Sequence, residues 1–382
     1  MAGIYIHIPF CKQACYYCDF HFSTSLKRKE ELLSAIKKEL LLRKNEFGDE
    51  QIETIYFGGG TPSLLTIDEL QLLIGTIYKH YLVVNNAEIT LEANPDDLST
   101  QKIKELAQSP INRLSIGIQS FFEDDLKFMN RAHTAEESKK CLAEAKKYFD
   151  NITIDLIYGV PNMSDQKWLA NLQQAFEFGI SHISSYALTV EEKTALHSFI
   201  KNGKVLPIDE GLALQHFNIL VEESEKQGFV HYEISNFGKF NYFSKHNISY
   251  WQGEKYLGIG PSAHSFNGLE RSWNVSNNTK YINSLLKNIP PSESEILTVN
   301  NRFNEYIMTG LRTIWGVSFE KVDKEFGALY LELLKKNAAL FIEKGLLEIQ
   351  ENAFSNKTLV TTKKGQFLAD GIASDLFMVN EV

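Results

Sequence analysis

No run in this sequence reaches the ~18 apolar residues that a membrane-spanning helix requires. The first ten residues, MAGIYIHIPF, put no basic region ahead of their apolar stretch, so they do not read as a signal peptide. Positive charge is in deficit, with 39 Lys and Arg against 48 Asp and Glu and a net charge of −9. That balance argues against broad nucleic-acid binding, which needs a cationic surface to displace counterions. It also disfavours docking on anionic lipid. There is no internal repeat of fixed period and no low-complexity segment. A cytoplasmic protein with no integral membrane segment is expected. In that compartment clustered thiols serve metal or redox chemistry more often than disulfides.

Cysteine is scarce as well, with four in 382 residues, yet three of them crowd into YIHIPFCKQACYYCDFHF as Cys11, Cys15 and Cys18. Three thiolates this close can surround one metal centre. A structural zinc would take a fourth ligand, for which His7 or His21 is at hand. An iron–sulfur cluster held by three thiolates would keep one iron open for chemistry. Spacing alone leaves both readings standing. Cys141, in a charged helical segment, reads as a spare thiol.

What the sequence has in quantity is alternation. Six runs rich in Ile, Val, Tyr or Leu read as buried strands: IYIHI from Ile4, TIYFG from Thr54, EITLEA from Glu88, RLSIGIQ from Arg113, ITIDLIYG from Ile152 and ISSYALTV from Ile183. Segments of helical period separate them, among them Lys29–Arg43, Ile67–Tyr81, Thr134–Tyr148 and Asp165–Phe178. Thr66 with Glu69 resembles a capping box. Repeated strand-then-helix predicts an α/β fold, a parallel sheet closing into a partial (β/α)6 barrel, with its site at the carboxyl ends of the strands. Cys11 follows the first strand, GGGTP the second, Glu92 and Asn94 end the third, Gln119 the fourth, and Asp155 lies within the fifth. The unusual residues therefore gather at one end of the sheet.

The length exceeds the ~250–300 residues at which single cores stop growing, so one large and one smaller domain are expected. The barrel is placed over 1–205 and an aromatic-rich extension over 206–290. A smaller C-terminal α+β domain of winged-helix-like pattern follows over 291–382, with the polar NIPPSESE, Asn288 to Glu295, as the linker. From Arg302 to Val382 ten Lys and Arg stand against eleven Asp and Glu, so this domain reads as a packing module rather than a DNA reader. It is expected to shield the barrel mouth or to mediate self-association, as in a homodimer.

The spacing Cys11-x-x-x-Cys15-x-x-Cys18, with Tyr17 before the last cysteine, resembles the signature of the radical S-adenosylmethionine (SAM) superfamily. The resemblance implies that these thiolates hold a [4Fe–4S] cluster and that SAM chelates the fourth iron through its amino and carboxylate groups. An electron from the cluster would then break the S–C5′ bond. Dense matches from Tyr5 to about Phe266 (YIHIPFC, YFGGGTPS, LEANP, RLSIGIQSF, MNRAHT and IDLIYGVP) resemble the branch named for oxygen-independent coproporphyrinogen III oxidase. Carried over by position, Tyr5 would lie beside cluster and SAM. Gly59, Gly60 and Thr61 would hold the amino-acid end of SAM. Glu92 would take its amine or ribose, Gln119 and Asp155 would bind its polar groups, and Arg131 would face its carboxylate. Taken singly, Glu92 and Asp155 read as carboxylates at a helix N-terminus and Arg131 as a solvated residue. Their joint occurrence in motif order favours the site.

Two kinds of member in that branch differ in class: a porphyrinogen decarboxylase of haem synthesis, and haem chaperones of the HemW type. The decarboxylase pattern continues with a fourth cysteine two residues past the third, where this chain has Phe20. It also carries an N-terminal extension that this sequence is not expected to have. The chaperone type carries His-Asn-x-x-Tyr-Trp, and HNISYW occurs here from His246 to Trp251. A neutral imidazole can ligate haem iron, and Tyr250 and Trp251 can lie against a macrocycle. Without the resemblance the same residues read as a satisfied core histidine in an aromatic cluster. With it, His246 is expected to contact haem, while His264 is given no direct role. The chaperone is placed first and the decarboxylase second, and whether SAM is cleaved stays open. The partners implied are haem, haem-receiving respiratory proteins, and an electron donor such as flavodoxin or ferredoxin.

Overall fold

The computed structural model describes residues 2–351 and 356–379. Six parallel strands form its centre in sequence order: β1 (Ala2–Ile8), β2 (Ile52–Gly59), β3 (Val83–Ala93), β4 (Arg113–Gln119), β5 (Ile152–Tyr158) and β6 (His182–Ala187). Helices cross between them, and their starts are set locally. At the Ile67–His80 helix the Thr66 hydroxyl accepts from Glu69 N at 3.2 Å while the Glu69 carboxylate accepts from Thr66 N at 2.7 Å. The expected capping box is therefore present. The strands are covered on both faces, as parallel sheets built by helical crossovers are. Ile4, Ile6, Ile55, Leu91, Leu114, Ile154 and Ile183 are all fully buried in one continuous core.

The α/β barrel expectation holds, but the sheet is larger than six strands. Among the described residues it has twelve, because β9 (Lys255–Ile259) lies parallel beside β1, Tyr5 against Gly258. The antiparallel β10 (His264–Phe266), β11 (Glu270–Asn274) and β12 (Ser292–Ile296) extend that edge. At the other edge β7 (Val230–Glu233) and β8 (Asn236–Gly238) add to β6. The polar stretch expected as a linker is thus partly strand: Ser292–Ile296 pairs along β11, its residues all exposed. Its Ser and Glu content reads as loop but also suits a sheet edge, where charge deters further pairing.

One buried carboxylate ties the added strands to the barrel. Glu39, in the Lys29–Leu42 helix, is fully buried. It accepts from Tyr281 OH at 2.5 Å, Asn274 Nδ2 at 2.8 Å, Gly260 N at 2.9 Å and Arg43 Nη1 at 3.2 Å.

A second core begins at Phe303 and runs to Met378. The helix Val299–Leu311 is followed by β13 (Val317–Ser318), the helices Phe319–Phe326 and Ala328–Glu343, and the hairpin β14 (Leu347–Glu351) and β15 (Lys357–Thr361). The three strands form their own sheet in the order β13-β15-β14. Arg312 joins this unit to the rest, donating to Glu233 at 2.8 Å and Asp370 at 2.6 Å while its guanidinium lies 4.9 Å over the Trp251 ring. Among the described residues no helix is long and apolar enough to cross a membrane.

Candidate functional site

The cysteine loop leaves the carboxyl end of β1 and is pinned on both flanks. Tyr16 N donates to Met129 O at 3.2 Å, Asn130 Nδ2 to Ala14 O at 2.7 Å, and Gln13 Nε2 to Asn130 O at 3.0 Å. Asn130 has a φ of 56°, a conformation that asparagine tolerates better than most residues. Lys12 pairs with Asp96 at 2.7 Å on the opposite flank. The motif MNRAHT therefore does local work: it clamps the loop that presents the thiols. Cys11, Cys15 and Cys18 are free and half-buried. Burial pushes the Cys18 thiol up to about 11, and the neighbouring Cys15 and Cys11 add to the rise. Cys141 is buried on another element, the Ala135–Ala145 helix.

Donors converge on this loop. Thr61 Oγ1 donates to Cys11 Sγ at 3.5 Å, and Arg131 Nη1 to Cys15 Sγ at 3.3 Å. Arg131 Nη2 donates to Asn94 Oδ1 at 2.6 Å and to Gly117 O at 3.1 Å, and Asn94 Nδ2 in turn to Thr61 Oγ1 at 3.2 Å. Arg131 Nε is buried with no acceptor among the described residues. Arg131 is thus drawn inward rather than solvated. Asn94 stands at the centre of this chain, although from sequence it reads only as the end of a strand. Its place inside LEANP was the available signal. Gln119, with a φ of 63°, turns back over Gly117, where an added Cβ would stand 2.8 Å from its Nε2.

The glycine turn proves to be needed by the fold itself. Gly59 has a φ of 107°, and a Cβ there would stand 2.5 Å from the His7 ring; one on Gly60 would stand 2.7 Å from Phe10 O. The chain must pass this close to the start of the cysteine loop, and only glycine permits it. Gly60 N donates to Ile8 O at 2.9 Å and Gly59 N to Glu92 Oε2 at 3.2 Å, so both N–H groups are engaged.

Glu92 also accepts from Tyr56 OH at 2.8 Å. Burial raises its carboxyl to about 8, against the lowering effect of Tyr56. Burial raises Asp155 to about 7, partly countered by Arg131 and Arg113. Asp155 lines a small polar cavity inside the barrel together with Glu92, Ser115 and Asn247. A folded carboxyl that keeps its proton to about pH 8, where an unfolded one releases it near 4.3, makes stability fall as pH rises between those values. Buried histidines act in the opposite sense but only below ~6.5, since burial lowers His7 to about 4 and His246 to about 3. The urea midpoint of the metal-free protein is therefore expected to fall from pH 6.5 to 8. Glu92→Gln should flatten that fall above pH 7; an unchanged slope would place the titration elsewhere.

A cavity of about 1070 Å³ opens beside Glu92, bounded by Tyr5, Gly59, the β9–β11 face and the C-terminal domain. Tyr5 donates to His7 Nδ1 at 3.3 Å and stacks on Tyr56, centroids 6.1 Å apart. His246 does not line this cavity. It is buried on the Lys245–Trp251 helix and stacked on Tyr56 at 4.8 Å. Its Nδ1 meets Thr54 Oγ1 at 2.7 Å and its Nε2 meets Tyr250 OH at 2.8 Å. His246, expected to contact haem, has both ring nitrogens engaged inside the core in this structure. Of the same motif, Tyr250 and Trp251 do reach the cavity wall. His264, given no role from sequence, stands exposed on that wall.

Residues 5–175 match the family described as the Radical SAM superfamily, and 297–368 the HemN C-terminal domain. Proteins described as "Heme chaperone HemW" align nearly end to end. That of Bacillus subtilis (strain 168) is 33% identical over 97% of this chain and 98% of its own length. That of Mycobacterium tuberculosis (strain ATCC 25618 / H37Rv) is 30% identical over 98% and 94%. The structure of Escherichia coli coproporphyrinogen III oxidase (HemN), described as a radical SAM enzyme, shares the fold at a TM-score of 0.85, with 20% identity over 98% of this chain and 90% of that one. By these alignments the chain belongs to the radical SAM superfamily, in the HemN-like branch alongside the HemW proteins.

Proposed function

We propose that the protein is a haem chaperone with a radical SAM core, carrying haem to respiratory proteins. The observation that supports this most is the near full-length identity of 30–34% to proteins described as haem chaperones. Phe20, where the decarboxylase pattern has a fourth cysteine, adds to it: the side chain is 69% exposed at the cavity mouth.

The residue types present suit the groups this reading implies, although among the described residues no three His, Cys, Asp or Glu side chains are gathered closely enough to hold a metal ion. Cys11, Cys15 and Cys18 would hold the iron–sulfur cluster; the Arg131 cation beside Cys15 offsets thiolate charge. The unpaired Arg131 Nε suits a carboxylate, which would satisfy a buried donor that otherwise costs stability. Glu92, between Tyr56 and Gly59, is placed to take an amine or a ribose hydroxyl of SAM. Thr61, already expected at the amino-acid end of SAM, is oriented by Asn94, which joins the set. When bound, the cluster supplies an electron and an open iron for the nucleotide's amino-acid end. The chain's own part is to bind and orient the nucleotide, and to hold a proton on Glu92 below about pH 8.

One reconstituted sample tests the ranking. Haem titration should give a Soret band of bound haem. An anaerobic assay with SAM, reductant and coproporphyrinogen III should give no protoporphyrinogen IX. Product formation without retained haem would reverse the order of the two readings.

A further inference from the structure

The position of His246 leaves a question that rests on the chaperone reading: which residue meets the iron. Its two ring nitrogens are both engaged inside the barrel, and freeing Nε2 would mean expelling the Tyr250 hydroxyl from a buried contact. The large cavity has three histidines of its own: His7, His21 and His264. His7 is bonded through Nε2 to His21 O at 2.9 Å and through Nδ1 to Tyr5. His21 Nε2 is held by Asn278 Oδ1 at 2.8 Å. His264 has neither ring nitrogen hydrogen-bonded among the described residues; its ring contact is with Trp273, centroids 6.2 Å apart.

The surroundings of His264 suit a flat aromatic acid. Along β10 and β11 the pairs His264–Trp273 and Phe266–Arg271 share one face of the hairpin, since successive strand residues alternate sides. Phe266 pairs in turn with Tyr256 on β9, and Tyr250 stands edge-on to Tyr256 at 4.5 Å. This makes an aromatic wall running away from His264. The facing wall belongs to the C-terminal domain and carries cations. That wall also carries Glu305, paired with Arg271 of β11 at 2.8 Å, and Glu325. Lys321 lies 4.5 Å over the Tyr306 ring and pairs with no carboxylate among the described residues. Arg302 and Trp251 line the same cavity, and their buried donors Nε and Nε1 have no acceptor among the described residues. Buried donors left unmade are costly and uncommon, so the wall asks for an anion that the chain does not provide. Ligand sites run to about 300–1,000 Å³, and at about 1070 Å³ the cavity has room for a macrocycle.

We infer that the iron of bound haem is ligated by His264 rather than His246. The macrocycle lies along the Tyr256–Phe266 wall with its carboxylates toward Arg302 and Lys321. Burial, with Arg271 nearby, lowers the His264 pKa and keeps its imidazole in the neutral form that binds metal. His246 serves as a positioning residue, holding the helix that presents Tyr250 and Trp251.

The test uses the full chain, titrated with ferric haem and followed by absorption and electron paramagnetic resonance. His264→Ala should lose the histidine-ligated spectrum and at least tenfold in affinity, with free imidazole restoring the spectrum. His246→Phe keeps the ring stacking and should keep the wild-type spectrum despite a lower Tm. Arg302→Glu and Lys321→Glu should weaken haem binding but leave haem dimethyl ester, whose carboxylates are blocked, unaffected. An unchanged spectrum in His264→Ala, or its loss in folded His246→Phe alone, overturns the inference and leaves the chaperone reading intact. Wild-type protein that retains no haem overturns both.

Discussion

Replacing any one of Cys11, Cys15 or Cys18 by alanine is expected to abolish assembly of the iron–sulfur centre. Wild-type protein reconstituted under argon should turn brown and hold iron and sulfide, while each variant retains less than about a tenth of that metal, because a cluster lacking one thiolate loses a covalent anchor. The loop should survive the change, since it is fixed by Lys12, Gln13, Tyr16 and Asn130 rather than by the sulfurs. Cys141→Ala, on a separate helix, is the control and should assemble the centre normally. Zinc bound in a colourless protein, lost with the same three substitutions, would favour the structural-metal alternative. Air should remove the centre from wild type, as an open iron is exposed to oxidation.

The second large effect concerns stability. Glu39→Ala is expected to destabilise the protein by about 3–5 kcal/mol, the usual consequence of removing one partner from a buried charge pair. Four donors from Tyr281, Asn274, Gly260 and Arg43 would lose their acceptor together, and the Arg43 cation would stay buried between Gly258 O and Glu46. Asn274 belongs to β11, Gly260 directly follows β9 and Tyr281 lies in the helix Asn278–Leu286, while Arg43 caps Glu39's own helix, so the loss should appear first as loosening of the β9–β11 edge. Urea unfolding, with hydrogen exchange of that hairpin beside β1, reads both effects. A change below about 1 kcal/mol would show that Glu39 is protonated and dispensable in the fold.

The barrel was legible because its signals are local. Each of the six central strands contains a short buried run, and the cysteine, glycine and LEANP motifs stand at strand ends, so strand ends and these motif positions agree without knowledge of contacts. What lay hidden is what long-range pairing decides. Lys255–Ile259 contains KYLGI, an ordinary strand, and nothing in it says that its neighbour is Tyr5, some 250 residues earlier. HNISYW shows which side chains are present but not which way they face. A seven-residue helix with Ser244 as its cap turns His246 into the barrel and Trp251 toward the cavity, and that rotation follows from packing on Thr54 and Tyr56. Arg131 looked solvated because its helix-flanking sequence is charged. The acceptors that draw it inward, Asn94, Gly117 O and Cys15, come from three other segments.

The acidic rim at β12 has a consequence for how molecules meet. A twelve-stranded sheet with a free margin is a template on which another copy could dock strand to strand, and Glu293 and Glu295 line that margin on one side. Two such margins brought together would align like charges across a 4.8 Å gap, so crowding at neutral pH meets repulsion there. Without those two charges, lateral growth into ribbons would be the hazard.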